Sequence, residues 1–129
     1  MNSPWLHVGH IGDGGKWLCD PHRIKQLHAN RSQSACVIMS IGSNNDFSFE
    51  ESMHATFDSL CTIHTFDHTV KDPTPPEYVH YHALGLGQHR VEKLRPLSSL
   101  VELATGGNAL ARVEVLKIDV EGRQSRVCS

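Results

Sequence analysis

Residues 35–67 constrain this chain more than any other stretch. The apolar run Cys36-Val37-Ile38-Met39-Ser40-Ile41 stops at Gly42. Ser43-Asn44-Asn45-Asp46 follows and is too polar and turn-prone to continue a strand. Ser48-Phe49-Glu50-Glu51 has the form of a capping box, with Ser48 as N-cap and Glu51 at N3. Phe49, Met53, Phe57 and Leu60 recur at helical spacing and predict a helix with one apolar face. Cys61-Thr62-Ile63-His64-Thr65-Phe66 is rich in strand formers and ends at Asp67. Strand, glycine turn, helix, strand and terminal acid together describe half of a nucleotide-binding α/β unit.

The flanking sequence extends this pattern. Gly12-Asp13-Gly14-Gly15 is a turn signal. It reads as a connection into Trp17-Leu18-Cys19 and not as a phosphate-binding loop, because no strand is expected before it and no Lys-Ser/Thr pair opens a helix after it. Residues 21–29 form a candidate short helix with Pro21 in its first turn. The prolines of Lys71-Asp72-Pro73-Thr74-Pro75-Pro76 require an extended loop. A third strand is expected over 78–84, an amphipathic helix over 96–104 that stops at Gly106-Gly107-Asn108, and a fourth strand over 113–120. Strands alternating with helices or long connections predict an α/β fold with a mostly parallel sheet. The expected organisation is a lead-in segment over 1–34, a cofactor-binding half-domain over 35–122 and a tail over 123–129.

Composition narrows the function. A formal net charge of -2 argues against a nucleic-acid footprint. No apolar run is long enough to span a bilayer, and the N-terminus shows no signal-peptide pattern, so localisation stays open. The four cysteines lack Cys-x-x-Cys spacing, which argues against structural zinc. Cys36 and Cys61 read as buried thiols, and Cys19 with Cys36 is a candidate pair in an oxidising compartment. Asn30-Arg31-Ser32 is a glycosylation sequon if the chain is secreted.

The loop after the first strand indicates the ligand. A dinucleotide site wants several glycines so that the backbone can approach a pyrophosphate. Here Gly42 stands alone, and Asp46 would repel phosphate. The loop better suits a ligand without phosphate that carries positive charge, such as S-adenosylmethionine. Asp67 is placed to accept hydrogen bonds from ribose hydroxyls, against the alternative of a solvated strand-end acid. The ten histidines show no clear ligand spacing, although His80 and His82 share a strand face, and no metal is expected. Asp119 and Glu121, at the end of the fourth strand, fit two readings equally: a base or metal ligand, or a simple turn cap.

Several blocks also resemble a known family in the same order. Val37-Ile38-Met39-Ser40-Ile41-Gly42-Ser43-Asn44-Asn45-Asp46-Phe47-Ser48-Phe49-Glu50 resembles the first motif of a methyltransferase-domain family. That family includes eukaryotic methyltransferase-like proteins related to FkbM-type enzymes. Gly14-Gly15-Lys16-Trp17-Leu18-Cys19 resembles its lead-in, His64-Thr65-Phe66-Asp67 its second-strand motif, and Tyr81-His82-Ala83-Leu84-Gly85-Leu86-Gly87 its third-strand ending. Leu116-Lys117-Ile118-Asp119-Val120-Glu121-Gly122 is similar to its most recognisable block. The resemblance implies a Rossmann-like, S-adenosylmethionine-dependent methyltransferase fold. It implies a small-molecule cofactor site lined by Gly42 and Asp67, with Asn44 and Asp46 nearby. The methyl acceptor is not legible.

The chain departs from the family at Arg123-Gln124-Ser125-Arg126, where members continue with an acid and aromatic residues. The expectation is therefore a sheet cut short after the fourth strand, with Val115, Leu116, Ile118 and Val120 on an open edge. Catalysis by this chain alone is then in question. A non-catalytic Rossmann-like binding module is the alternative. A nicotinamide oxidoreductase is disfavoured by the single glycine.

Overall fold

The structure, a computed structural model, describes residues 5–8, 16–19, 36–57, 60–120 and 123–128. Strands β1 (Trp5–Val8) and β2 (Lys16–Cys19) pair antiparallel. The domain is built on β3 (Cys36–Ile41), α1 (Ser48–Phe57), β4 (Cys61–Phe66) and β5 (Val79–His82). The short strands β6 (Gly85–Leu86) and β7 (Leu94–Arg95) form a separate two-residue ladder. Helix α2 (Leu97–Thr105), β8 (Arg112–Val120) and β9 (Arg123–Cys128) complete the order. The main sheet runs β5-β4-β3-β8-β9. Its first four strands are parallel and β9 is antiparallel to β8. This is the mostly parallel α/β architecture expected of a Rossmann-like methyltransferase fold.

The central strand explains why its sequence is continuously apolar. Every residue of β3 is buried, because both faces of the sheet are covered there. Cys36 and Ile38 pack with Phe49, Met53 and Phe57 of α1. Val37, Met39 and Ile41 pack on the other face with Leu100 and Ala104 of α2. Each fully buried Val, Ile, Leu, Met or Phe among them stabilises the fold by about 1.5–3 kcal/mol. Helix α2 stops where Gly106 takes a left-handed conformation (φ 65°) and its N–H bonds to the Glu102 carbonyl.

Several expectations change. Helix α1 ends at Phe57, and Leu60 is exposed beyond it. Its first i→i−4 bond is Glu51 N–H to the Phe47 carbonyl, and the Ser48 N–H is taken by Asp46 Oδ1, so the cap falls earlier than the expected Ser48–Glu51 box. Cys36 and Cys61 are not free thiols. The parallel register sets them opposite each other, and they form a disulfide with Cα atoms 4.5 Å apart. Cys36 is thereby unavailable to Cys19. The expected tail contains β9, which pairs along β8 from Val115 to Val120, so that edge is covered. A strand, β1, does precede the Gly12 turn, but a strand and not a helix follows it. The Gly12–Gly15 turn itself, the expected helix over 21–29 and the sequon lie outside the described residues.

Candidate cofactor site

The C-terminal ends of β3 and β4 meet at Gly42 and Asp67, where an open parallel sheet offers its ligand crevice. Gly42 has φ 89°, a value that side chains rarely tolerate, and this turns the chain out of β3. Asn44 and Asn45 follow at φ 48° and 59°, so the Ser43–Asp46 turn has two consecutive left-handed residues. Asparagine accepts that conformation better than other residues with a side chain.

Asp67 holds this loop. Its Oδ2 accepts the backbone N–H of Ser43 at 2.9 Å and that of Asn44 at 2.7 Å. Its Oδ1 accepts the backbone N–H and the hydroxyl of Thr69 at 2.8 and 2.6 Å. Burial alone would raise its pKa. The Thr69 hydroxyl and the amides of Asn44, Thr69 and Ser43 more than offset that and hold the carboxyl below its ordinary value. Asp67 is thus not a solvated strand-end acid; its residue is 5% exposed and its carboxylate is satisfied four times over.

The remaining loop amides are also taken. Gly42 N–H donates to the Phe66 carbonyl at 2.8 Å, Asn45 N–H to Ser43 Oγ at 3.3 Å and Asp46 N–H to the Ser43 carbonyl at 2.9 Å. Asn45 Oδ1 accepts the Thr74 N–H at 3.0 Å, which ties the proline loop down over the glycine loop. The Tyr81 hydroxyl donates to the Asp67 carbonyl at 2.9 Å. Burial first, and then the Asp67 charge, push its pKa up to about 12, so the phenol stays protonated.

Lys117 supports the loop from below. It is only 4% exposed, and its Nζ donates to the Gly42 carbonyl at 3.1 Å. The ammonium lies 5.5 Å from the Phe49 ring centre, within cation–π range. The register places Ser40 between Thr65 and Lys117. Thr65 donates its hydroxyl to Glu50 Oε2 at 2.6 Å, and Glu50 is fully buried. A polar layer therefore lies beneath the loop, inside an otherwise apolar core.

Of the residues expected from sequence, Gly42, Asn44, Asp46 and Asp67 fall in one place. Asp46 is engaged with the Ser48 amide. Asp119 lies on β8 one position past the Ile41–Ile118 pair, hence level with Gly42, and is half-buried. Glu121 is outside the described residues. Among the described residues no three His, Cys, Asp or Glu side chains converge as metal ligands, and no helix is long and apolar enough to cross a membrane. Sequence reasoning missed Lys117, Thr69, Tyr81 and the Asn45–Thr74 tie. Only Lys117 left a signal, as a charged residue inside the apolar stretch Val115-Leu116-Lys117-Ile118.

A methyltransferase-domain family model matches residues 3–125. The chain belongs to that family. No curated protein and no solved structure matches it. The match covers nearly the whole chain, including the hairpin at one end and part of β9 at the other. Membership makes this a methyltransferase domain, of a kind that generally uses S-adenosylmethionine, and implies a small-molecule cofactor and a methyl-accepting substrate. It does not identify the acceptor.

Proposed function

We propose that Gly42, Asn44, Asp46 and Asp67 form the S-adenosylmethionine site of this methyltransferase domain. The observation that carries this reading is the amide inventory of the loop. Each backbone N–H from Gly42 to Asp46 already has an acceptor inside the protein. A diphosphate needs such donors free, as at a phosphate-binding nest. Here the Asp67 carboxylate occupies the position that a phosphate would take. A nucleoside cofactor with an ammonium, a sulfonium and ribose hydroxyls brings its own donors and positive charge, and the loop meets it with carbonyls and carboxylates.

In this reading Asp67 acts chiefly through the loop it holds. Its Oδ1 becomes available to a ribose hydroxyl when the Thr69 hydroxyl turns away. The bound cofactor supplies an activated methyl group. The protein's part is to position that group and to favour the loss of positive charge during transfer. Asp119 is the candidate acid on the acceptor side, and Glu121 is retained on sequence grounds. The test is calorimetric titration with S-adenosylmethionine and with NAD. Binding of the first and not of the second is expected. The reverse result would overturn the assignment. Methyl transfer from labelled cofactor to phenols, carboxylates, sugars and peptides then identifies the acceptor class.

A further inference from the structure

Three histidines share one face at the β5 edge of the main sheet. His80 and His82 lie two apart on β5, and His64 lies beside them on β4, paired in register with His80. His64 and His82 are half-buried and His80 is exposed. His64 Nδ1 and His82 Nε2 are 3.1 Å apart, in rings only 15° from parallel. The His80 ring lies 4.7 Å from that of His64, at 18°. Phe66 braces the outer ring, 4.4 Å from His82.

We propose that His64, His80 and His82 bind a divalent transition-metal ion of borderline softness, Cu2+ most tightly, with Ni2+ and Zn2+ behind it. The chemistry follows from the donor set. Imidazole suits these ions, and the order of affinity is theirs intrinsically. Two imidazole nitrogens on one metal, each at about 2.0–2.1 Å, stand about 2.9–3.4 Å apart. The His64–His82 nitrogens already have that spacing. At present they share one proton in a nitrogen-to-nitrogen hydrogen bond, so binding needs each ring to swing off that line and the shared proton to pass to an outer ring nitrogen. His80 supplies the third donor by turning its exposed ring. Among the described residues no three donors converge in the present arrangement, so the site forms only when that ring turns.

The site also has a mechanical link to the glycine loop. The His82 carbonyl accepts the Asp67 N–H at 3.1 Å, so a metal that fixes β5 also braces the residue that holds the glycine loop. The proposal stands on the strand pair and does not depend on the cofactor assignment.

The experiment titrates the whole chelator-treated chain with Cu2+ and with Zn2+ alone, by calorimetry and, for Cu2+, electron paramagnetic resonance. Micromolar uptake is expected, with nitrogen hyperfine structure in the Cu2+ spectrum. His64→Asn, His80→Asn and His82→Asn should each weaken the tightest site tenfold or more, and His89→Asn should leave it unchanged. His80 is exposed, so His80→Asn tests the site even if a change at half-buried His64 disturbs folding; its metal-free melting temperature should match wild type. Uptake by the triple variant equal to wild type in number and affinity, or no uptake by wild type at micromolar metal, would overturn the proposal.

Discussion

The Asn44 amide reaches the Asp67 carboxylate at 2.7 Å, across 23 positions of sequence. That contact joins the loop after one strand to the end of the next, and it makes Asp67 a part of the loop's architecture. Charge-assisted hydrogen bonds of this kind are each worth roughly 1.5–3 kcal/mol.

Asp67→Ala should therefore weaken S-adenosylmethionine binding about tenfold to a hundredfold, at about 1.4 kcal/mol per decade. Asp67→Asn should lose less, since its amide oxygen still accepts from Ser43 and Asn44 while its NH2 faces the Thr69 donors. Asp72→Ala, on the exposed proline loop, is the control and should change little. Calorimetric titration of the three variants measures this. Equal affinity of Asp67→Ala and wild type would remove Asp67 from the site.

Acid should act on the same residue. The folded pKa of Asp67 lies below its unfolded value of about 3.9. Its contribution is therefore complete above that value and is lost as pH falls through the folded pKa. Asp67→Asn should be less stable than wild type at pH 7, with the gap closing in strong acid. Denaturant midpoints across that range report it.

His64 predicts a different window. Its pKa falls from 6.5 unfolded to about 4 folded. Between those values the unfolded chain binds the extra proton, so stability is full above 6.5 and declines as pH drops toward 4. The melting temperature should fall over that interval, His82 acting in the same direction. His64→Asn should flatten the slope. An unchanged slope in the variant would place its origin elsewhere.

Lys117→Met keeps the length of the side chain and removes its donor to the Gly42 carbonyl. Leaving that half-buried acceptor without its partner should cost about 1 kcal/mol. Cofactor affinity should fall with it, because Gly42 starts the loop. Chemical denaturation and calorimetry together separate the two effects. A variant as stable as wild type, with the same affinity, would show that Lys117 is dispensable to the loop.

Removing the Cys36–Cys61 disulfide should lower stability by about 2–4 kcal/mol, as expected for a cross-link that closes a loop of this size. Cys36→Ala with Cys61→Ala should melt lower than wild type, and a strong reductant should bring wild type down to the double variant without moving the latter. Coincident melting of the oxidised and reduced wild type would contradict it.

What was legible in the sequence were features with a local signature. The run from Cys36 to Ile41 declared a strand buried on both faces, Gly42 a turn, and Phe49, Met53 and Phe57 the inner face of a helix. Gly42, Asn44, Asp46 and Asp67 came together because strand-end geometry alone brings them there. What escaped depended on neighbours far apart in the chain. Cys36 pairs with Cys61 only because the parallel register aligns them. Arg123–Cys128 has no strand periodicity of its own and pairs because β8 presents an edge. Asp67 as an internal acceptor could not be foreseen either, since its donors are three backbone amides and the Ser43 and Thr69 hydroxyls, whose approach depends on loop conformation and leaves no motif in the sequence.

The position of the disulfide has one more consequence. It joins β3 and β4 at their first residues, at the opposite end of the strands from Gly42 and Asp67. At the far end the same strands carry no cross-link and are held by the packing of Ile41 and Phe66 and by hydrogen bonds, those of Gly42, Ser43 and Asn44 among them. Opening of the strand pair should therefore begin at the crevice and die out toward the cross-link. Amide exchange should run as a gradient along β3 and β4, fastest beside the loop. A ligand seated on the loop should then slow exchange most at the strand tips and least beside the cross-link.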